Sequence, residues 1–545
     1  MSVMQCPLCS YEYDDSLEDV PWNDLPEGWI CPVCGSPKSI FVEVGGKQEA
    51  EKPDVPDSSG KTESAPAVYE CKLCSNLYEE DREGISWNDL SDDWVCPVCG
   101  ATKDLYLQVL PAGDTSVIIE NPSAAGSNST AADSGIPADY LYEWKRSADD
   151  FETRMADIHR MAETGESIYE PMRTRLPVFS WDEILIKGAQ LSRLPLNKSQ
   201  PVSTRTVIGP GAVVPMELDT PLIVSHMSFG ALSREAKLAL AKGSADVKGA
   251  LCSEEGGILP ECLDASHKYI FEYVPNKYSF TDEYLRQVDA VEIKIGQSAK
   301  PGMGGHLPAH KVTREIAEIR GFREGVDIIS PSRFPDIRTR EDLKETVDML
   351  REKTGGKPVG VKLAAGHLEE DIAIVLYAGA DFITIDGRAG GTGAALKMVK
   401  NAATIPTIFA LHRARKILDE SGADDVSLII TGGFRVSSDF IKALAMGADA
   451  VALATASMMA LGCQQYRICD TGRCPVGIAT QDPALRARLN VDASAQRVSN
   501  YFRVSNDELR EFSRLSGHDD VHGLSRSDLC TVSSELSRNA GIDHA

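Results

Sequence analysis

The sequence predicts an α/β protein: one β/α barrel preceded by two small modules held together by metal. Three observations carry that expectation. Beyond about residue 215, short apolar runs alternate with amphipathic stretches, the rhythm of parallel strands joined by crossover helices. A cysteine-rich unit occurs twice at the head of the chain, and a third cysteine group, Cys463, Cys469 and Cys474, follows the last apolar run. With 545 residues, the chain exceeds one small core and suits a large barrel with satellites.

The head comes first. Cys6, Cys9, Cys31 and Cys34 recur as Cys71, Cys74, Cys96 and Cys99, and Trp22-Asn23-Asp24-Leu25 recurs as Trp87-Asn88-Asp89-Leu90, every pair offset by 65 positions. This is a duplication. Each Cys-x-x-Cys turn sets two thiolates on one side of a knuckle, and two knuckles close a tetrahedral cage of four sulfurs that suits iron or zinc. Tyr11, Tyr13, Trp22, Trp29 and Phe41 surround the first cage, and Tyr78, Trp87, Trp94 and Tyr106 the second. So small a module needs its metal as a staple. The expected division is 1–44 and 68–109 for the modules, with linkers at 45–67 and 110–138 rich in Ser, Gly, Pro, Ala and acidic residues.

The formal net charge is −25, and about 25 acidic against about 7 basic side chains fall in residues 1–138. Such a head repels phosphate backbones, so nucleic acid is not an expected partner. It suits docking to a basic redox protein. No run nears the ~18 apolar residues of a membrane span. The start, Met1-Ser2-Val3-Met4-Gln5-Cys6, lacks the basic and apolar segments of a secretion signal, so a cytoplasmic location is expected.

Residues 139–200 read as a helical lead-in, with apolar residues at helical spacing over 139–165. The barrel is expected over 201–490, with a polar C-terminal extension at 491–545. Its strands are expected at Leu222-Ile223-Val224 and in the runs 290–295, 326–329, 359–363, 382–385, 426–430 and 450–453. A doubly wound open sheet is the alternative with the same rhythm. In barrels the chemistry sits at the C-terminal strand ends. Gly432-Gly433 and Ala454-Thr455 end the last two runs, where small residues let backbone N–H groups approach a phosphate. Lys362 ends an otherwise apolar run, where it needs an anionic partner and suits the negative charge of a reduced flavin ring. Cys463, Cys469 and Cys474-Pro475 suit an iron–sulfur cluster on three thiolates, either [3Fe–4S] or a cubane with one open corner.

Two resemblances attach to these residues. Cys6-Pro7-Leu8-Cys9, Leu25-Pro26-Glu27-Gly28-Trp29-Ile30-Cys31-Pro32-Val33-Cys34-Gly35, Lys38 and Phe41 resemble rubredoxin, and the second copy resembles it more loosely. That implies one mononuclear iron per module, held by the four cysteines, with zinc the other occupant. The body resembles the FMN and iron–sulfur domain of glutamate synthase, in the short archaeal type that lacks a glutaminase domain. The matching motifs are Met227-Ser228-Phe229-Gly230-Ala231-Leu232-Ser233, Glu255-Gly256-Gly257, the run from Lys294 to Gly302, Gly304-Gly305, Ile329-Ser330-Pro331, Gly390-Gly391-Thr392-Gly393-Ala394 and the stretch from Met459 to Gln481.

The second resemblance implies a (β/α)8 (TIM) barrel with FMN and a [3Fe–4S] cluster. Met227, Ser228, Phe229 and Gly230 would flank the flavin, with Gly391, Thr392 and Gly393 in a turn beside it. Lys300 would offer a cation to the carboxylates of 2-oxoglutarate, with Glu255 nearby and His306 in place of an amide, binding, catalysing or capping the loop. The implied reaction is reductive amination of 2-oxoglutarate with ammonia to L-glutamate. Several positions depart from the family: Met303 and His306 replace Glu and Gln, Arg388-Ala389 replaces His-Asp, and Phe271 lies where a lysine-containing segment is usual. A different amino or keto acid, or an electron-transfer hub with a vestigial site, are therefore the other readings. No stretch is long enough for a glutaminase domain, so free ammonium or a separate glutaminase subunit is expected. No Gly-x-Gly-x-x-Gly turn follows a strand, so electrons are expected to arrive through iron from a redox donor protein.

Stripping the metal tests the staple. Chelation is expected to abolish the near-UV signal of the head and open residues 1–109 to protease while the barrel resists; a protected, metal-free head would contradict this reading.

Overall fold

The computed structural model describes residues 148–545 without a break and, before them, residues 3–5, 12–14, 22, 25–26, 38, 42–43, 68–71, 77–79, 86–91, 94, 103, 106–109, 144 and 146. The chain forms two compact units, Met1–Val117 and Ile118–Ala545.

The first unit carries two antiparallel sheets of three strands. Val3–Gln5 lies between Glu12–Asp14 and Val42–Glu43, and Val68–Cys71 lies between Leu77–Glu79 and Tyr106–Val109. Aromatics fill each. Trp22 meets Tyr13 edge-on at 5.3 Å, and Trp87 meets Tyr78 edge-on at 5.2 Å. The duplication reaches individual contacts. Lys38 Nζ donates to the Leu25 carbonyl and Lys103 Nζ to that of Leu90, both at 2.8 Å, and each ammonium lies over the Trp of its own copy. Cys6, Cys9, Cys31, Cys34, Cys74, Cys96 and Cys99 lie outside the described residues; Cys71 ends its strand, and its side chain is not described.

The second unit is a closed barrel of eight parallel strands: β1 (Leu222–Val224), β2 (Ala250–Cys252), β3 (Lys268–Tyr273), β4 (Ala290–Lys294), β5 (Val359–Ala364), β6 (Phe382–Asp386), β7 (Ser427–Thr431) and β8 (Ala450–Leu453). β8 closes onto β1 with Leu222 opposite Val451. The outward side chains pack under the surrounding helices. The inward ones change character along the strands. At the N-terminal end Ile223, Ala250, Ile270, Ala290, Phe382, Ile429 and Ala450 form a separate apolar plug, sealed from below by Ile208, Met216 and Leu218 of the hairpin Thr206–Ile208/Met216–Leu218. Toward the C-terminal end the inward positions become Glu272, Glu292, Lys294, Lys362 and Thr384, paired across the sheet as Glu272↔Glu292, Lys294↔Lys362 and Lys362↔Thr384.

Four helices matter for the site: α1 (Met155–Thr164), α2 (Arg234–Ala245), α3 (Thr455–Leu461) and α4 (Val491–Ser516). Ser233 caps α2 by accepting from the Ala236 N–H, and its hydroxyl donates to the Gly477 carbonyl, tying the β1–α2 corner to the cysteine segment. α4 buries Val498, Phe502 and Leu509 against the barrel.

The structure departs from the sequence expectations in three places. Among the described residues the lead-in helix spans Met155–Thr164, because the Asp149 carboxylate accepts the N–H groups of Phe151 and Glu152 and holds a turn there; residues 139–143, 145 and 147 lie outside the described residues. The run 326–329 is not a barrel strand. Ile328–Ile329 pairs antiparallel with His306–Leu307 in a loop sheet, and the Asp327 carboxylate is spent on that loop. β2 and β3 take the missing places; the three residues of β2 are too short to stand out as a run, and charge interrupts β3 at Glu272. Among the described residues no helix is long and apolar enough to cross a membrane.

Gly360 faces Phe382 inside the plug, and a Cβ there would lie 2.3 Å from the ring. Gly360→Ala is expected to lower stability by about 1–3 kcal/mol through overpacking, read as a lower melting temperature of the barrel; an unchanged melt would contradict this packing.

Candidate active site at the barrel mouth

A cavity of about 2020 Å³ opens at the C-terminal ends of the strands. Met227, Ser228, Glu255, Lys300, His306, Lys362, Gly391, Thr392, Gly393, Gly432, Gly433, Ala454 and Thr455 all line it, although they come from separate stretches of chain. Phe229 and Gly230 stand behind the wall. The Phe229 ring is buried in the core and its carbonyl accepts from Arg320, while the Gly230 carbonyl accepts from Gln481. Gly305 is required by close approach, since a Cβ there would lie 2.6 Å from Glu255 Oε2.

The floor is a lattice of buried charge. Lys362 Nζ sits 3.1 Å from Glu272 Oε1. Lys294 Nζ sits 2.8 Å from Glu255 Oε2, 3.0 Å from Glu254 Oε1 and 3.6 Å from Glu272 Oε2. His226 Nε2 is hydrogen-bonded to Glu292, which also accepts from Thr384, and His226 Nδ1 lies 3.1 Å from Ser225 Oγ. Burial opposes the charge on Lys294, but Glu254 and Glu255 overcome it and hold its pKa well above the ordinary value. In return, Glu254 is held far below the usual carboxylate range despite its burial, chiefly by Lys294 and Lys362. One ligand atom from each of His226, Cys252, Glu272 and Glu292 lies within 4.8 Å of the others. Lys362 and Lys294 pair with Glu272, and His226 and Thr384 hydrogen-bond Glu292, so both carboxylates of the quartet have partners within the protein. The sequence reading singled out Lys362 and took Lys294 only as the start of a family motif, and it missed the parts played by His226, Cys252, Glu254, Glu272 and Glu292. The signal was available, since a charge inside an apolar strand points inward for a partner.

Lys300 differs from these. Among the described residues its Nζ has no hydrogen bond or ion pair, and burial and the neighbouring Lys294 lower its pKa. It is a cation in the cavity wall without an anion of its own. Arg435 is another residue the sequence reading missed, two positions past Gly432-Gly433. Its guanidinium donates to the Phe434 carbonyl and pairs with no carboxylate among the described residues, and burial and Arg173 depress its pKa. Next to a glycine turn and the start of α3, that arrangement fits a phosphate. His306 is on the rim, and its Nε2 is held 2.9 Å from Asp327, which also accepts from the Ala309 N–H. The ring therefore fastens the rim loop.

Cys463, Cys469 and Cys474 converge. Burial comes first in raising the Cys469 thiol to about 12, and the nearness of Cys463 and Cys474 adds to it. The N–H and side-chain amide of Gln465 donate to Cys463 Sγ at 3.5 and 3.2 Å. Three clustered thiols with N–H donors on sulfur fit a cluster ligated by three thiolates. Cys469 also lines the cavity.

A family model described as "Conserved region in glutamate synthase" matches residues 157–519. The chain belongs to the glutamate synthase family. Rubredoxin's family model matches residues 3–41 and 68–106. An archaeal-type glutamate synthase [NADPH] of Thermotoga neapolitana is 38% identical over 378 residues, covering 65% of this chain and 75% of that protein. An archaeal glutamate synthase [NADPH] of Methanocaldococcus jannaschii is 41% identical over 370 residues, 66% of this chain and 70% of that protein. A glutamate synthase large subunit-like protein of Rhizobium meliloti is 34% identical over 408 residues, 71% of this chain and 92% of that protein. The family consists of oxidoreductases acting on CH–NH2 donors, and this chain is one of them.

Within this glutamate synthase barrel the departures fall in two groups. Met303 and Ala389 line the cavity and reshape its wall. Phe271 points outward into the main core, and its neighbour Glu272 takes the inward position.

His226 offers a test of the floor. Burial disfavours its charge, yet Cys252 and Glu292 prevail and raise its pKa from 6.5 to about 10. The imidazolium's contribution to stability is therefore complete below about pH 6.5 and is lost as pH rises through about 10. Melting temperatures across that window are expected to fall more steeply for the parent than for His226→Gln; parallel slopes would contradict the ion pair.

Proposed function

We propose that this member of the glutamate synthase family forms L-glutamate by reductive amination of 2-oxoglutarate. The observation that carries the reading is Lys300, an ammonium with no ion-pair partner among the described residues, in the wall of a cavity lined by glycine turns and floored by Lys362. Ammonia condenses with the keto group with loss of water, and the 2-imino carbon then takes a hydride while its nitrogen takes a proton from solvent. Bound FMN supplies that hydride. Lys300 binds a carboxylate of the keto acid and fixes its orientation. Gly432, Gly433, Ala454, Thr455 and Arg435 hold the flavin phosphate. Met227, Ser228, Gly391, Thr392 and Gly393 would border the flavin, with Phe229 and Gly230 supporting that wall from behind. Lys362, held by Glu272, would offer positive charge to a reduced flavin. Glu255 anchors Lys294 beside the substrate.

Cys463, Cys469 and Cys474 hold a [3Fe–4S] cluster. The eight knuckle cysteines, Cys6, Cys9, Cys31, Cys34, Cys71, Cys74, Cys96 and Cys99, hold two mononuclear irons, with zinc the rival metal. Iron held by these cysteines would supply one-electron transfer from a redox donor protein. The nitrogen comes from free ammonium or from a separate glutaminase subunit, and the enzyme works in the cytoplasm. The domain division given by composition, with 139–200 as lead-in and 491–545 as extension, belongs to the same proposal. Met303 and Ala389 in the wall favour one second reading, in which the acceptor is a related keto acid.

The test is anaerobic turnover of the reduced protein with 2-oxoglutarate and ammonium, followed by amino-acid analysis. Glutamate is expected, and Lys300→Met is expected to lower kcat/KM for the keto acid about 10- to 100-fold, the range for losing one charged hydrogen bond, with flavin content unchanged. No glutamate with any nitrogen donor, or an unaffected Lys300→Met variant, would contradict the proposal.

A further inference from the structure

We infer that Met172 is an apolar cover on Cys469 where the three-cysteine centre meets the cavity, and that it sets that centre's reduction potential. The inference rests on the iron–sulfur reading above and goes beyond it, because Met172 belongs to no cysteine motif and to no glycine turn.

Met172 lies just past the short strand Tyr169–Glu170, which pairs with Ala395–Leu396 after the glycine turn. Its side chain is almost wholly buried, yet it forms part of the cavity wall. The Cys469 thiol points at its sulfur, with Sγ and Sδ 3.9 Å apart. Its N–H donates to the Thr392 carbonyl at 2.8 Å. One residue thus touches both the cysteine centre and the turn assigned to the flavin.

The backbone holds this position at an energetic cost. Met172 has φ +66°, a left-handed conformation that is unfavourable for a non-glycine residue. Two features retain it. The buried Lys400 ammonium gathers the carbonyls of Glu170, Pro171 and Met172 at 3.0, 3.2 and 3.4 Å. The glycine turn also presses on the segment, since a Cβ at Gly391 would lie 3.0 Å from Arg173 N and 3.2 Å from the Met172 carbonyl carbon. Strain held by surrounding contacts in this way marks a functional position.

Burial and hydrogen bonding set the potentials of thiolate-ligated iron–sulfur centres. Cys469 sits in the wall of a cavity that must admit water and polar substrate. The Met172 thioether covers that thiolate with polarizable apolar volume. Reduction adds negative charge to the centre, and water stabilises negative charge. Removing the cover therefore favours the reduced state and raises the potential.

EPR-monitored redox titration of the full-length holoprotein tests this, with iron and sulfide content measured on the same samples. Met172→Ala keeps the left-handed penalty and deletes only the cover. It is expected to retain the centre and shift its reduction equilibrium at least tenfold toward the reduced state, about 59 mV upward for one electron. Met172→Leu, which keeps apolar volume, is expected to titrate with the parent. An unchanged potential in Met172→Ala, an equal shift in Met172→Leu, or loss of the centre from Met172→Ala with no shift in what remains would overturn the inference. A parent protein lacking any cluster signal would overturn the iron–sulfur reading and this inference with it, and would be recognised by the absence of acid-labile sulfide.

Discussion

Glu272 and Glu292 are fully buried inside a barrel, where Lys362 and Lys294 meet the first and His226 the second. An isolated buried carboxylate would be desolvated and would take up a proton. The register of β3, β4, β5 and β6 sets these groups side by side, so the fold itself delivers the compensation. Glu254 and Glu255 extend the lattice to the cavity wall through Lys294. The rest of the site follows from this arrangement. With the floor charges matched internally, Lys300 remains as a cation available to a ligand, and Arg435 is a second one beside Gly432-Gly433.

The apolar plug beneath the lattice gives it a rigid base. Ile208, Met216 and Leu218 of the hairpin close the N-terminal end, and the Phe382 ring occupies the room left by Gly360. A barrel whose lower interior is dry and whose upper interior is ionic presents its chemistry at one end only. That agrees with the glycine turns at Gly391, Gly432 and Gly433, all of which lie at that end.

Much of this was legible in the sequence, for identifiable reasons. The 65-residue offset exposed the duplicated head, and even the paired contacts of Lys38 and Lys103 obey it. β5, β6, β7 and β8 announced themselves as apolar runs, and their ends led to the cavity. β2 and β3 did not, because Ala250–Cys252 is short and Glu272 breaks the apolar pattern of its strand. The run 326–329 misled because strand propensity does not say which sheet a segment will join. The ion lattice was hidden for a different reason: its members are scattered from residue 226 to residue 384, and only the barrel closure brings them together. Met172 was invisible for the same reason, being distant in sequence from both Thr392 and Cys469.

A flavin at the barrel mouth and thiolate-bound iron on the same chain are what every functional step above requires. Anaerobic purification followed by absorbance spectroscopy, with flavin, iron, zinc and sulfide determined on one sample, tests that pairing most directly. One FMN per chain is expected together with iron and acid-labile sulfide, all bleaching on reduction. A colourless protein containing zinc alone would contradict it.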